Sequence, residues 1–207
     1  MSDTQHIFVV DDDADVRDSM RVLLEATGFE VRTFTSAKEF LADDHPKQGC
    51  LIADIRMPDM SGLELQQEVI RRHMELPVVI MTGHGDVPLA VRAMKAGAID
   101  FLEKPFGDET LLASVRRALD VGLQIRSRSA EASAAKETLA LLTPRERDVL
   151  DRLVKGRSNK VAAYELGISP RTVEIHRAHI MDKMEASSLS DLVRVVLAAG
   201  QDTAAEP

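Results

Sequence analysis

Four short apolar runs in the first half of the chain each end on a polar residue suited to phosphate chemistry. Asp11 and Asp12 follow the run 7–10, Asp54 follows 50–53, Thr82 follows 78–81, and Lys104 stands just past 99–102. If the runs are parallel strands, these groups gather at one edge of one sheet. In an open α/β sheet that edge, near the switch in strand order, is where ligands bind.

Three carboxylates brought together repel one another unless a cation neutralises them or some take up protons. Magnesium prefers one or two protein carboxylates, waters and a phosphate oxygen, so an acidic cluster beside a hydroxyl and an amine suits magnesium-assisted phosphoryl transfer. Asp54 is then the acceptor, a carboxylate nucleophile that forms an acyl phosphate. Lys104 and Thr82 hold the equatorial oxygens. Taken alone, residues 11–13 also read as a plain helix start, where acids complement the helix dipole. The spacing of all five residues favours the chemical reading.

The elements that must position these groups fit a chain of 207 residues, long enough for two small domains. With 44% hydrophobic and 29% charged residues the composition is that of a globular protein. No apolar stretch approaches the roughly 20 residues of a membrane span, and the polar start lacks signal-peptide character. The single Cys50, inside an apolar run, reads as a buried structural thiol and suits a reducing cytoplasm. The net charge of −8 argues against an undifferentiated nucleic-acid binder, yet it is uneven. Residues 1–122 carry 22 acids and 13 bases, net −9, whereas residues 143–199 carry 8 acids and 10 bases, net +2. That asymmetry points to different partners for the two halves.

The first half alternates strand and helix signals five times, which favours a parallel sheet with helices on both faces. Val16, Met20, Leu23 and Leu24 recur at helical spacing, with Gly28 placed to end the helix. Residues 29–34 alternate as a second strand, and Ser36 with Glu39 forms a capping-box signature. After Asp54 comes the turn-rich run 57–62, then a helix carrying Leu65, Val69 and Ile70. Pro77 opens the fourth strand, Asp86 caps the next helix and Gly97 stops it. A last helix begins near Asp108 with Leu111, Leu112, Val115 and Leu119 on one side. Residues 123–142 form an Ala-rich linker, read as helical, although its composition also suits a flexible tether.

The second half is all helical. Thr143-Pro144-Arg145-Glu146 combines a cap, a first-turn proline and a capping-box acid, ahead of Val149, Leu150 and Leu153. Gly156 ends that helix, Ser158 caps the next, Gly167 makes a tight turn, and Ser169-Pro170 starts a third helix with Val173, Ile180 and Met184 facing the core. Ser190 or a neighbour starts a fourth with Leu192, Val195 and Val196. Two short helices around a glycine turn are the helix-turn-helix signature. A generic helical bundle shares that periodicity. The outer face of the third helix, Arg171, Thr172, Glu174, Ile175, Arg177, Ala178 and His179, mixes bases, acid, hydroxyl and small apolar groups and favours DNA.

The first half resembles the receiver domain of two-component response regulators, and the second the helix-turn-helix of the LuxR and NarL type. With Arg56-Met57-Pro58, Thr82-Gly83-His84-Gly85-Asp86, Glu103-Lys104-Pro105-Phe106 and Ser169-Pro170-Arg171-Thr172-Val173-Glu174, the chain resembles the FixJ subfamily. The resemblance implies an α/β plus all-α protein: a flavodoxin-like, doubly wound five-stranded parallel sheet of order 2-1-3-4-5, then a four-helix helix-turn-helix domain. The domains are then 1–122, the receiver; 123–142, the linker; 143–200, the DNA-binding domain; and 201–207, a tail.

The resemblance further implies that Asp54 becomes an aspartyl phosphate and that Asp11, Asp12, Asp54 and the backbone carbonyl of Arg56 bind Mg2+. It places Thr82 and Phe101 as the switch pair, Lys104 as the phosphate-pairing amine and Pro105 as a cis proline. Asp13 stays a surface or cap residue. Dimerisation on phosphorylation is implied through the face made by the fourth helix, fifth strand and fifth helix, with Val91, Lys95 and neighbouring exposed groups as candidates. Glu174, Ile175 and Ala178 are directed to bases, and Lys160, Arg171, Thr172, Arg177 and Lys183 to phosphates. His176 reads equally as a packing residue. The implied partners are a sensor histidine kinase, double-stranded DNA and RNA polymerase, with no membrane.

The leading reading is a phosphorylation-dependent transcription factor, not an enzyme beyond slow loss of its own phosphate. An aspartate-nucleophile phosphohydrolase of the haloacid dehalogenase type would need a second acid two residues after Asp54, where Arg56 stands. A regulator that works without phosphate is the remaining alternative, and the intact acidic site argues against it.

Overall fold

Strict alternation along the apolar runs decides the layering of the first half. In the computed structural model, which describes residues 5–44, 48–83 and 87–201, five parallel strands pair in the order β2-β1-β3-β4-β5. They are β1 (His6–Val10), β2 (Glu30–Phe34), β3 (Cys50–Asp54), β4 (Val78–Thr82) and β5 (Asp100–Glu103). Successive side chains point to opposite faces. Phe8, Val10, Leu51, Ala53, Val78 and Ile80 therefore pack with Phe40, Leu65, Val69 and Ala93 on one face. Ile7, Val9, Cys50, Ile52, Val79 and Met81 pack with Met20, Leu24, Leu111, Val115 and Leu119 on the other. Helices α1 (Ala14–Ala26) and α5 (Asp108–Ala140) thus cover the second face, and α2 (Ala37–Ala42), α3 (Gly62–Arg71) and α4 (Val87–Lys95) the first. The expected fold class holds, order included.

Local signals set the helix ends. Asp13 caps α1, its carboxylate accepting from the N–H groups of Asp15 and Val16, as its alternative reading expects. Gly28 follows α1 with φ +94. The Ser36 box is only half formed: Ser36 Oγ accepts from Glu39 N, but the Glu39 carboxylate turns to Thr35 N and Oγ, each at 2.7 Å. Ser61 and Glu64 make a full box opening α3. Pro77 lies just ahead of β4, its carbonyl accepting from Leu51 N. The cap expected at Asp86 lies outside the described residues. Burial pushes the Cys50 thiol up to about 12, leaving it a packing residue.

The chain divides into two compact units between Arg126 and Ser127, inside α5. The Ala-rich stretch is helical as far as Ala140. In the second unit α6 (Pro144–Val154), α7 (Asn159–Leu166), α8 (Pro170–Lys183) and α9 (Leu189–Gln201) surround Leu142, Val149, Leu150, Leu153, Ala162, Val173, Ile180, Met184 and Leu192. Thr143 and Glu146 form the expected capping box, and Ser158 and Ser169 cap α7 and α8. Gly167 adopts the left-handed conformation at φ +65, which lets α7 end and α8 turn across it. Ser188, rather than Ser190, accepts from Asp191 N at the start of α9.

Candidate functional site

Strand order puts the ends of β1 and β3 side by side, and their carboxylates meet there. Asp11 follows β1 and Asp54 ends β3, on the two sides of the switch in strand order. Lys104, one residue past β5, donates to Asp11 Oδ2 at 2.6 Å and to Asp54 Oδ1 at 2.7 Å. Its backbone N–H donates to Thr82 O at 2.7 Å, and the Lys104–Pro105 peptide is cis. The remaining carboxylate oxygens are held by the turns that follow each strand: Asp11 Oδ1 accepts from Asp13 N at 2.9 Å, and Asp54 Oδ2 from Arg56 N at 2.6 Å.

Asp11 and Asp54 are 1% and 6% exposed, so electrostatics there act with little screening. Burial pushes the Asp11 carboxyl above its usual range, and the bonds from Lys104 and Asp13 N–H offset this only in part. Burial works to lower the Lys104 ammonium, but its bonds to Asp11 and Asp54 outweigh that and hold it above its ordinary value. The third acid of the group, Asp12, is exposed one residue past Asp11, and among the described residues no three His, Cys, Asp or Glu side chains close on one metal position.

Two residues that local sequence patterns do not single out shape this edge. A Cβ on Gly62 would stand 2.3 Å from Asp54 O, so only glycine lets the start of α3 approach the end of β3. Arg17 Nη1 donates to Asp11 O at 2.7 Å and braces the turn between β1 and α1. A glycine just after a capping serine carries a weak signal, because helices tolerate it there for other reasons. Thr82 is fully buried at the end of β4, and Phe101 is half-buried on β5 with its ring against the Phe8 face of the sheet. Residues 84–86 of the motif lie outside the described residues. On α4, Val87, Val91 and Met94 leave an exposed apolar strip beside the exposed Lys95.

In the second unit, the outward face of α8 is as polar and mixed as its sequence implies. Arg171, Glu174, Ile175, Ala178 and His179 are exposed, while Thr172, His176 and Arg177 are half-buried. Thr172 shares a 2.8 Å hydrogen bond with the capping Ser169 hydroxyl. Arg171 stands 3.7 Å from Glu174, and Lys160 on α7 is exposed. The Lys183 ammonium donates to the buried Glu146 at 2.7 Å and to Leu141 O at 3.4 Å. Glu146 is 3% exposed, and a charge there requires a partner, which α8 provides. Lys183 thus ties α8 to α6.

Comparison with known proteins covers both units. Residues 7–116 match the model of the response regulator receiver domain, and residues 140–196 that of the bacterial regulatory proteins of the luxR family. The chain is 49% identical over 201 residues to the transcriptional regulatory protein FixJ of Azorhizobium caulinodans, covering 97% of this chain and 95% of that one. It is 45% identical over 190 residues to the response regulator protein TodT of Pseudomonas putida, covering 91% and 84% of the two. The solved structure of the response regulator StyR aligns with a TM-score of 0.80 at 44% identity, over 94% of this chain and 98% of that one.

Proposed function

Because the chain belongs to the FixJ-type response regulators, two-component transcription factors with a receiver domain and a LuxR-family DNA-binding domain, we propose that Asp54 is its phosphoacceptor. The observation that carries this is the Lys104 ammonium shared between Asp11 and Asp54 at the switch in strand order. Two buried acids, a buried hydroxyl and an amine at the ends of four neighbouring strands support this reading.

An Asp54 carboxylate oxygen forms the O–P bond as the P–N bond of a kinase phosphohistidine breaks. The electron pair stays on the imidazole, which takes up a proton. Phosphorylation adds nearly two negative charges to this pocket. Lys104 follows the new charge, releasing its share of Asp11, and the Thr82 hydroxyl turns to the phosphoryl oxygens with Phe101 moving inward. The hard carboxylate oxygens of Asp11 and Asp54, with exposed Asp12 one residue on, fit a magnesium ion, and the Arg56 carbonyl completes the protein donors. Bound there, Mg2+ supplies neutralisation of the transferring oxygens. Turnover is limited to slow loss of the protein's own phosphate.

The exposed strip of α4, Val91 and Lys95 among it, serves as the dimer contact of the phosphorylated state in this reading. Glu174, Ile175 and Ala178 face bases, with Glu174 suited to a cytosine amino group and the apolar pair to a thymine methyl. Lys160, Arg171, Thr172 and Arg177 hold phosphates. Lys183, committed to Glu146, takes a structural place instead. A sensor kinase and double-stranded DNA are the partners, RNA polymerase is a further one, and the cytoplasm is where they meet. Among the described residues no helix is long and apolar enough to cross a membrane.

The test is treatment of the full chain with acetyl phosphate and Mg2+, read by mass, sedimentation and DNA affinity. The wild type gains one phosphoryl mass, dimerises and binds DNA more tightly. Asp54→Asn does none of these, and an adduct that survives in this variant overturns the assignment.

A further inference from the structure

Helix α3 carries a buried carboxamide among hydrocarbon neighbours. Gln66 is 1% exposed, beside Leu65 and Val69 of the same core, where desolvating an amide costs free energy that a leucine would not incur. Its Nε2 donates to the backbone carbonyls of Ala93 at 3.2 Å and Ala96 at 2.9 Å. These carbonyls close the carboxyl-terminal turn of α4, where backbone acceptors lack partners within the helix. The bonds fasten α4 at the end that holds its buried Ala93, whereas Val87, Val91 and Met94 along the same helix are exposed.

The same α3 begins on the phosphoacceptor strand. Gly62 N donates to Ile55 O at 3.1 Å, and a Cβ on Gly62 would stand 2.3 Å from Asp54 O. The turn that leads there starts from the Asp54 carboxylate itself, whose Oδ2 accepts from Arg56 N. Gln66 lies one helical turn past Gly62, on the same face of α3. A single turn of helix therefore separates the backbone contact with Asp54 from the bonds to α4. This connection runs through β3 and α3, apart from Thr82 on β4 and Phe101 on β5.

We propose that Gln66 is a positioning residue that couples phosphorylation of Asp54 to the dimer strip of α4, which rests on Asp54 being the phosphoacceptor. The charge added at Asp54 displaces the turn after β3 and the start of α3 with it. The carboxamide passes that shift to the carboxyl end of α4, turning Val91 and Lys95 relative to the sheet. A close-packed helix bonded at both ends transmits such a shift because protein interiors deform little. The buried amide thereby has a use that packing alone does not give it.

Gln66→Met tests this, since it keeps the length of the side chain. It removes the bonds to α4 together with Oε1, which among the described residues no donor meets, so the loss is partly offset and the variant folds. Wild type and variant, as full chains, are treated with acetyl phosphate and Mg2+ and checked by mass, and sedimentation gives the dimer dissociation constant before and after. The variant gains one phosphoryl mass at the wild-type rate, yet the tightening of its dimer on phosphorylation falls by about fivefold or more. In the wild type the NMR signals of the Gln66 side-chain NH2, assigned through the α3 backbone, shift on phosphorylation, which a merely stabilising amide does not show. Equal tightening in both proteins, or wild-type NH2 signals that stay in place, overturns the proposal. A wild type that gains no phosphoryl mass overturns the phosphoacceptor assignment itself, and this proposal with it.

Discussion

The Lys183 ammonium donates to Glu146 Oε2 at 2.7 Å, joining the last turn of α8 to the first turn of α6. The same carboxylate accepts from Thr143 N at 2.8 Å, so one buried acid both caps α6 and anchors the helix that carries the candidate DNA contacts. The Lys183 bond, with that from Thr143, holds the Glu146 carboxyl down to about 2, against an ordinary 4.5.

A carboxyl lowered by folding stabilises the protein above its unfolded value and loses that stability as pH falls through its folded value. Denaturant unfolding of the full chain is therefore expected to show a stability loss for the second unit between about pH 4.5 and pH 2. Glu146→Gln lacks that part of the pH dependence and is less stable at pH 7. Equal pH profiles for the two proteins contradict the bond.

Salt dependence separates Lys183 from its neighbours. Lys160→Ala is expected to weaken DNA binding about equally for all sequences and reduce the slope of log affinity against log salt by about 1. Lys183→Met leaves that slope unchanged and lowers the melting temperature instead. A slope lowered by both to the same extent returns Lys183 to the phosphates.

At the acidic edge, Asp11 acts against stability. A carboxyl raised by folding loses stability as pH rises from its ordinary 3.8 through its folded value, and the deficit persists at neutral pH. Asp11→Asn is expected to melt at a higher temperature than wild type at pH 7, and Mg2+ is expected to raise the melting temperature of the wild type but not of the variant. Lys104→Met does the reverse: two neighbouring carboxylates without their ammonium lower stability by ~3–5 kcal/mol, and Mg2+ restores more of it than in wild type. Thermal melts over a magnesium series check both variants.

Gly62→Ala is expected to displace the end of β3, because the added Cβ would come within 2.3 Å of Asp54 O. Forced overpacking of this kind costs ~1–3 kcal/mol, and phosphorylation by acetyl phosphate slows even in the folded fraction. An alanine variant with wild-type stability and uptake shows that the start of α3 is mobile against β3.

In the helical unit, Ile180 is fully buried among Val149, Leu150, Val173 and Leu192. Truncation to Ala leaves a cavity and is expected to cost ~2–5 kcal/mol, and to Val ~0.5–1.5 kcal/mol. Chemical denaturation followed by circular dichroism distinguishes the two.

Much of this was legible without coordinates. The unbroken apolar run Ile7, Phe8, Val9, Val10 and its counterparts at 50–53 and 78–81 determine strands buried on both faces, and Thr143, Ser158 and Ser169 mark helix starts because capping acts within one turn. The positions of Asp11, Asp54, Thr82 and Lys104 at strand ends follow from the same local periodicity. What only the tertiary structure decided are pairings between distant residues. Lys104 meets Asp11 across 93 positions and Lys183 meets Glu146 across 37, while Asp12 stays exposed. Gly62 against Asp54 O and Gln66 against Ala96 O belong to the same class. Periodicity and capping are short-range and are written in neighbouring residues, whereas the choice of which charge neutralises which depends on packing and burial that exist only once the chain has closed.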